Sequence, residues 1–283
     1  MLCDARQCWC LRLVEMKVIR SRDNAFVKQL IALAHSSRER KKAGLTVLDG
    51  IHLIRAYIEA IGEPVALAIS ESAQTRPEVL ALLAMCRNGQ QNILADSLMV
   101  AASALDSPAF MMAIVPTPIA GAIPDSADTV LALEDVQDPG NVGSMLRSAA
   151  AAGVRHIALS KTCAFAWAPK VLRAAQGAHF SLNISEGIDL VEFVKQFQGQ
   201  SLALVARTEG AKPLFAINLA RPTLFLIGNE GAGLTNAVSS AASERVTIPM
   251  PGKSESLNAA AAGAICLFEL VRQRGAIAPP VSR

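Results

Sequence analysis

The sequence is poor in charged residues, which make up only 18% of its 283 positions and leave a formal net charge of +3. Proteins that bind nucleic acid through their overall charge carry a much larger excess of cations, so this class is excluded. One local exception lies between Lys17 and Lys42, where eight basic residues stand against only Asp23 and Glu39. This basic cluster indicates either a phosphate-binding face or the solvated surface of a helix, and charge alone favours neither. Its members are Lys17, Arg20, Arg22, Lys28, Arg38, Arg40, Lys41 and Lys42.

Closely spaced metal ligands are also missing. The sequence has no C-x-x-C pair, and its four histidines do not cluster near any of its six cysteines. We therefore expect no metal site. The scattered cysteines form no disulfide framework either, and reduced thiols in a cytoplasmic protein are the expectation. Three cysteines crowd the N-terminus and three stand singly in apolar surroundings: Cys3, Cys8, Cys10, Cys86, Cys163 and Cys266.

A long uninterrupted apolar run is absent as well. The most apolar stretch, residues 98–123, contains Asp106 and three prolines and cannot form a helix across a bilayer. The first 15 residues have no apolar core, so we expect no signal peptide. They also fit no periodic pattern. We expect residues 1–16 to be a disordered tail or a mis-assigned start, with Met16 as the initiator.

Residues 17–115 alternate between helical and strand-like periodicity, which predicts an α/β domain of about 100 residues. Helices are predicted over 24–40, 52–61, 77–87 and 97–102, and strands over 47–48, 65–69, 93–94 and 111–115. Residues 116–127 follow, with three prolines and a glycine that break the periodicity. This segment is predicted to be an interdomain linker.

Residues 128–283 form a regular series in which apolar strands alternate with helices. Strands are predicted over 130–133, 156–159, 202–206, 224–227 and 246–248, and helices over 142–152, 169–175, 190–197 and 257–274. The alternation predicts a parallel sheet with helices on both faces. Since ligands of open α/β sheets bind at the carboxyl ends of the strands, we expect the chemistry at the strand-to-helix junctions.

The first of three notable junctions covers residues 137–147. Pro139 and Gly140 turn the chain from a strand into a helix, and Asn141 stands where an N-cap residue belongs. Arg147 follows on an Ala-rich stretch, where a guanidinium needs an anionic partner or solvent. The ordinary alternatives are a simple cap for Asn141 and a surface salt bridge for Arg147.

The other two junctions are also rich in turn residues. Closely spaced glycines over 228–233 let a ligand approach the backbone, and Glu230 places a charge at the mouth of an apolar strand. This spacing fits neither a P-loop nor a dinucleotide fingerprint. Residues 248–252 end a strand with two prolines, and residues 256–258 open the last helix. A tight turn and an N-cap are the ordinary alternatives, and the coincidence of three such junctions is what favours a site.

Together these segments resemble the three motifs of the SpoU-type (TrmH-like) RNA ribose 2′-O-methyltransferases of the SPOUT superfamily. Motif one corresponds to Asn141, Gly143 and Arg147, and motif two to residues 227–234. Motif three corresponds to residues 248–250 with 256–258 and, downstream, 267–269. The resemblance covers roughly residues 130–272. Motif one lacks the customary aromatic residue before Gly153.

The resemblance implies a C-terminal domain, residues 128–283, whose parallel sheet with helices on both faces contains a deep trefoil knot, a rare exception among folds. Residues 17–115 are similar to the family's smaller α/β ribosomal-protein-like domain, which binds the RNA substrate. In that part, Asp49 stands where a glutamate is usual. The implied enzyme is a homodimer.

The implied reaction is methylation of a ribose 2′-hydroxyl in structured RNA with S-adenosylmethionine as cofactor. Ribosomal RNA is expected ahead of transfer RNA, with no metal and no membrane involved. Arg147 would act as a base or, because a guanidinium stays protonated, as an electrostatic stabiliser. The implied catalytic residues are Asn141, Arg147, Glu230, Ser256 and Asn258. The implied cofactor-binding residues are Gly228, Ile248 and Leu257, with Met250 and Thr208 nearby.

Two other classes of protein remain as alternatives. A non-catalytic RNA-binding protein would keep the basic cluster but would not need Arg147, Glu230 and Asn258 together. A nucleotide-dependent oxidoreductase would use the glycine-rich loop as a dinucleotide site, for which the spacing is wrong.

Overall fold

The structure is a computed structural model that describes residues 16–86, 88–105, 109–206, 210–253 and 256–275. Contacts divide the chain into two compact units. The first unit contains the described residues up to Ile119 together with Trp167–Phe180, and the second contains Ala120–Ala166 and the described residues from Ser181 onward. Across this part of the chain, every helix is too short or too polar to be a membrane-spanning segment.

The helices and strands, numbered in chain order, have the following bounds. The strands are β1 (Leu45–Asp49), β2 (Ala66–Ser70), β3 (Gln90–Leu94), β4 (Met111–Pro116), β5 (Thr129–Leu133), β6 (His156–Leu159), β7 (Asn183–Glu186), β8 (Gln200–Leu204), β9 (Lys212–Pro213), β10 (Thr223–Ile227) and β11 (Glu244–Thr247). The α-helices are α1 (Ala25–His35), α2 (Ser37–Ala43), α3 (Ile51–Ala60), α4 (Pro77–Leu83), α5 (Asp96–Ala102), α6 (Pro139–Ala151), α7 (Pro169–Ala175), α8 (Leu190–Gln196), α9 (Asn236–Ala241) and α10 (Ala259–Arg274).

The described part of the first unit is built on a sheet of four strands in the order β1-β4-β2-β3. Strand β4 runs antiparallel to both β1 and β2, whereas β2 and β3 are parallel. Helices α1 and α5 pack on this sheet. The buried side chains in this contact include Leu30 of α1, Leu94 of β3 and Ala102 of α5. The predicted α/β character and all four predicted strands of this part are confirmed; β1, β3 and β4 are longer than predicted, and β2 lies one residue later in the chain.

The single helix predicted over 24–40 is wrong, because the chain breaks at Ser36. Its backbone is extended there, with φ −118° and ψ 114°, and its hydroxyl accepts from Glu39 N at 3.2 Å to start α2. The break is held by Arg40, whose buried guanidinium donates to Leu33 O (2.6 Å) and Ala34 O (3.0 Å) at the end of α1. The side chain of Arg40 thereby satisfies two carbonyls that the end of α1 leaves without backbone partners.

The basic cluster is therefore not uniformly available to phosphate. The buried side chain of Arg40 has a structural role, contrary to a surface role for this member of the cluster. Two other members form surface ion pairs, Arg20 with Glu71 (2.6 Å) and Lys28 with Asp23 (2.9 Å).

The segment Trp167–Phe180 groups with the first unit, although the predicted division assigned it to residues 128–283. Thr46 Oγ1 donates to Trp167 O at 2.6 Å, and α7 packs against β1. Tyr57 meets Phe180 edge-on, with 5.4 Å between the ring centroids. Such contacts depend on tertiary packing, so the local sequence pattern of α7 carried no sign of them.

The described part of the second unit is built on a sheet of seven strands in the order β7-β6-β5-β10-β8-β11-β9, and every neighbouring pair is parallel. This confirms the predicted parallel sheet and its five predicted strands, with β8 placed earlier in the chain than predicted. The edge strands β7 and β9 and the short helix α9 were not predicted. Their sequences lack the apolar run that marks a buried strand.

Strands β5 and β10 are central neighbours although about 90 residues separate them in the chain. They pair in register, with Leu133 opposite Ile227 at their carboxyl ends. Helix α10 returns to pack on α6 and β10. It approaches closely at Gly263, where a Cβ would lie 3.0 Å from Ile227 Cδ1 and 3.2 Å from Met145 Sδ. The segments after β5 and β10 are thereby brought to one place.

In the first unit, Asp49 ends β1 with a buried carboxylate. It accepts hydrogen bonds from Ser103 Oγ at 2.6 Å and Ala109 N at 3.1 Å. Burial raises the pKa of Asp49, and it outweighs these two hydrogen bonds and the charge of Arg173, which lower it.

We expect the wild type to lose stability as pH rises through the pKa of Asp49, and we expect Asp49→Asn to lack this loss. Because the pKa of Asp49 is higher in the folded protein than in the unfolded chain, the stability that this group contributes is full below about pH 4 and is lost as pH rises through the folded-state pKa. The free energy of unfolding of the wild type, relative to the variant, should therefore fall over that window in urea titrations. A difference that stays flat or grows with pH contradicts this.

Candidate functional site

The loop after β10 folds tightly back on itself. Asn229 N donates to Gly233 O at 3.0 Å, and Gly233 N donates to Asn229 O at 2.9 Å. A Cβ on Gly228 would lie well under 3.0 Å from the backbone of Gly233 and Leu234, closer than real Cβ atoms come. Only glycine at position 228 allows this approach.

Beside this loop lies a cavity of about 370 Å³. Its lining comes from the ends of β8, β10 and β11 and from the start of α10. Of the residues expected to bind a cofactor, Gly228, Ile248, Leu257 and Met250 line the cavity, whereas Thr208 lies outside the described residues. Glu230 and Ser256, expected to be catalytic, also line it.

A chain of hydrogen bonds joins the three junctions, and of its members Glu230 lines the cavity. Asn141 Nδ2 donates to Glu230 Oε1 at 2.8 Å, and Asn258 Nδ2 donates to Asn141 Oδ1 at 2.9 Å. Asn258 Oδ1 in turn accepts from Ala260 N and Ala261 N and thereby caps α10. Three side chains from distant parts of the sequence therefore form one connected polar group.

Asn141 does not cap α6, contrary to the prediction. The helix begins at Pro139, and its N-cap is Asp138, whose Oδ1 accepts from Asn141 N at 2.7 Å. Proline favours the first helical position, which moves the cap one residue ahead of it. The Asn141 side chain is therefore free to bridge Glu230 and Asn258.

Arg147 lies on α6 with an exposed side chain and is not among the residues that line the cavity. Within the described ranges its guanidinium makes no hydrogen bond and no ion pair, so the predicted alternative of a surface salt bridge is not observed. Its positive charge is available to an anion from outside the chain.

The residues after β5 were not predicted to belong to the site. Asp135 has φ +52°, a left-handed conformation that Asp tolerates better than most residues. Asn229 Nδ2 donates to Asp135 O at 2.8 Å, which ties the glycine-rich loop to β5. Glu134 accepts two hydrogen bonds from Thr235 at the far end of that loop. Acidic residues after an apolar strand were the available sequence signal.

No metal or thiol chemistry is evident in the described part of the chain. It holds no group of three or more His, Cys, Asp or Glu side chains that could bind a metal ion. Burial raises the pKa of Cys266 to about 12, which keeps this thiol protonated. That no metal is needed stays a prediction.

Replacing Gly228 by alanine should break the closed loop. The new Cβ would collide with the backbone of Gly233, which cannot move aside as a flexible side chain could, so we expect a loss of about 3 kcal/mol in the free energy of unfolding. Gly231→Ala is the matched control, because its Cβ would meet only Asn229 Oδ1 at an ordinary 3.6 Å. Urea unfolding of both variants measures this, and equal stabilities would show that the approach at Gly228 is not needed.

Comparison with known proteins gives a consistent result. Residues 128–268 match the SpoU rRNA Methylase family. An uncharacterized tRNA/rRNA methyltransferase of Synechocystis sp. is 31% identical over 93% of this chain and 96% of its own length. A 23S rRNA (uridine(2479)-2′-O)-methyltransferase of Streptomyces viridochromogenes is 34% identical over 89% of this chain and 91% of its own. The crystal structure of the SpoU methyltransferase AviRb from the same organism, in complex with AdoMet, matches with a TM-score of 0.79 and 29% identity, covering 89% of this chain and 99% of that one. The chain therefore belongs to the SpoU rRNA methylase family.

Proposed function

We propose that this protein transfers a methyl group from S-adenosylmethionine to a ribose 2′-hydroxyl of ribosomal RNA. The observation that carries the proposal is the hydrogen-bonded chain Glu230–Asn141–Asn258 beside the cavity. Neither a non-catalytic RNA-binding protein nor a dinucleotide-binding enzyme requires these three residues to meet. The proposed substrate and the unpaired thiols of Cys86, Cys163 and Cys266 favour the cytoplasm as its location.

The residues at the cavity suit S-adenosylmethionine. A volume of about 370 Å³ lies within the usual range for small-molecule sites. Apolar side chains such as Ile227 and Ile248 can contact the apolar parts of such a ligand, and Gly228 also lines the cavity. We propose that Gly228, Ile248 and Leu257 hold the cofactor, which supplies the activated methyl group.

The acceptor is a 2′-hydroxyl, a weak acid that needs help to lose its proton. Glu230 engages Asn141 through Oε1, and its second oxygen makes no hydrogen bond within the described residues. That oxygen can accept a hydrogen bond from a ribose hydroxyl. Asn141 and Asn258 would orient Glu230, and Ser256, which also lines the cavity, would help to place the sugar.

Arg147 is the cation of this arrangement. The Cα–Cβ bonds of a helix tilt toward its N-terminus, which in α6 is the end that carries Asn141. An exposed guanidinium stays protonated, which favours the electrostatic role over that of a base. We propose that it binds the neighbouring phosphate and stabilises the developing alkoxide.

The first unit would bind the RNA substrate. In this proposal residues 17–115 are the substrate-binding, ribosomal-protein-like domain, residues 116–127 are the linker and residues 128–283 are the catalytic domain. Several members of the basic cluster are exposed and form no ion pair with any residue that the structure describes, among them Lys17, Arg22, Arg38 and Lys42. Such a set can bind phosphates.

The order of the strands supports a deep trefoil knot in the second unit. The chain inserts β10 between β5 and β8, crosses β8 to reach β11, and then returns so that α10 packs on α6 and β10. We propose that this last segment passes through the loop that joins β8 to β10.

Cells with and without the gene should differ in a 2′-O-methylated ribose of ribosomal RNA, as mapped by a chemical or sequencing assay of ribose methylation. Wild-type protein should restore it and Arg147→Ala should not, since loss of an electrostatic stabiliser costs roughly 100- to 1,000-fold in kcat. Arg155→Ala is the matched control, because Arg155 is exposed and lies in the loop beyond the opposite end of α6.

Purified proteins complete this test. S-adenosylmethionine should raise the Tm of the wild type and of Arg147→Ala alike, whereas NAD and ATP should not. If the RNA loses no modified ribose when the gene is absent, the proposed function fails. Near-normal turnover of Arg147→Ala would refute both roles considered for this residue.

Helix α10 also supports the proposed homodimer. Its outward side carries Ala261, Ile265 and Phe268 at helical spacing, and Phe268 is 49% exposed. Leu257, which precedes the helix, is 40% exposed. An apolar stripe of this kind is typical of a surface that another protein covers. A second copy of the chain is the occupant that we propose.

In sedimentation experiments, Phe268→Glu should shift the protein from dimer to monomer, because a carboxylate in an apolar interface would lose its water. Val100→Glu changes an apolar side chain that is 61% exposed on α5 and should leave the mass unchanged. A monomeric wild type would refute the proposed dimer. A dimeric Phe268→Glu variant would show that the dimer interface lies on another surface.

A further inference from the structure

Glu134, the first residue after β5, is a buried carboxylate with no cationic partner among the described residues. It is 9% exposed, and both of its oxygens are used by one residue. Thr235 N donates to Oε2 and Thr235 Oγ1 donates to Oε1, each at 2.8 Å. Since a carboxylate is costly to bury, such complete use of its oxygens indicates a specific role.

The hydrogen bonds between Glu134 and Thr235 hold one end of the glycine-rich loop. The other end is held by Asp135, the residue next to Glu134. Asn229 Nδ2 donates to the backbone oxygen of Asp135 at 2.8 Å. Residues 229–235 are thus fastened at both ends to two consecutive residues after β5. Thr235 also caps α9, because its Oγ1 accepts from Val238 N at 3.3 Å.

Glu230 lies within the segment that is fastened in this way. Its backbone position follows from the two anchors, and its side chain carries the hydrogen-bonded chain to Asn141 and Asn258. The same segment supplies the glycines that line the cavity. A displacement of Thr235 would therefore also displace Glu230.

We propose that Glu134 is a positioning residue for methyl transfer, acting through Thr235 to hold the loop so that Glu230 is aligned. This rests on the function proposed above. Glu134 itself touches neither substrate nor cofactor in this arrangement. Misplacement of a reacting group by about 1 Å can cost roughly 100-fold in rate, so the effect should be measurable.

The test is a double-mutant cycle on kcat, measured as methyl transfer to RNA at saturating concentrations of both substrates. Glu134→Ala should lower kcat by roughly 30- to 100-fold in the wild-type background. In a Glu230→Ala background the same change should cost less than about threefold, because the group that it positions is already gone. Thr235→Ala should show the same dependence on background and serves if Glu134→Ala does not fold.

Asp189→Ala is the matched control for lost stability. Asp189 is also a carboxylate that fixes two backbone groups, Val191 N and Glu192 N, but it caps α8 and does not line the cavity. It should lower Tm and leave kcat unchanged in both backgrounds. Equal losses from Glu134→Ala in the two backgrounds, with an active wild type, would refute the positioning role alone. A wild type that transfers no methyl group would refute the proposed function and this role with it.

Discussion

The parallel pairing of β5 with β10 is the constraint on which the site depends. Leu133 and Ile227 end these strands in register and both are buried, so the residues that follow them start from fixed, neighbouring points. A chain that paired sequential strands would place motif two far from motif one. The insertion of β10 into the centre of the sheet brings the acidic turn of Glu134 and Asp135 against the glycine-rich loop.

Asn141 turns this proximity into a connected group. An amide has both a donor and an acceptor, so it can bind a carboxylate on one side and another amide on the other. Aspartate at this position would set two carboxylates against each other, and a hydroxyl is too short to span both partners. The side chain can do this only because Asp138 caps α6 in its place. The geometry thus depends on a residue three positions away that contacts none of the partners.

The sequence predicts well what local pattern determines, and less well what tertiary contacts determine. The buried central strands carry apolar runs and were predicted, whereas the edge strand β7 reads Asn-Ile-Ser-Glu and has no such run. The break at Ser36 depends on Arg40 folding back to the carbonyls of α1, and this contact has no local signature. The motifs identified Asn141, Glu230 and Asn258, but only the fold shows that they touch. The role of Glu134 depends on a partner 101 residues away.

Strain is retained where this proposed site needs rigidity. Asp135 is a non-glycine residue with a left-handed backbone, and it is held there by hydrogen bonds from its own N–H to Ser160 Oγ and from Asn229 to its carbonyl. Such a conformation persists only when the surroundings determine it from several sides. A loop fastened in this way cannot adapt its shape to a ligand at low cost. It is suited to a reaction whose rate depends on aligning two reactants. The polar groups around the cavity are therefore better explained as a preformed frame for transfer than as a surface that folds around RNA.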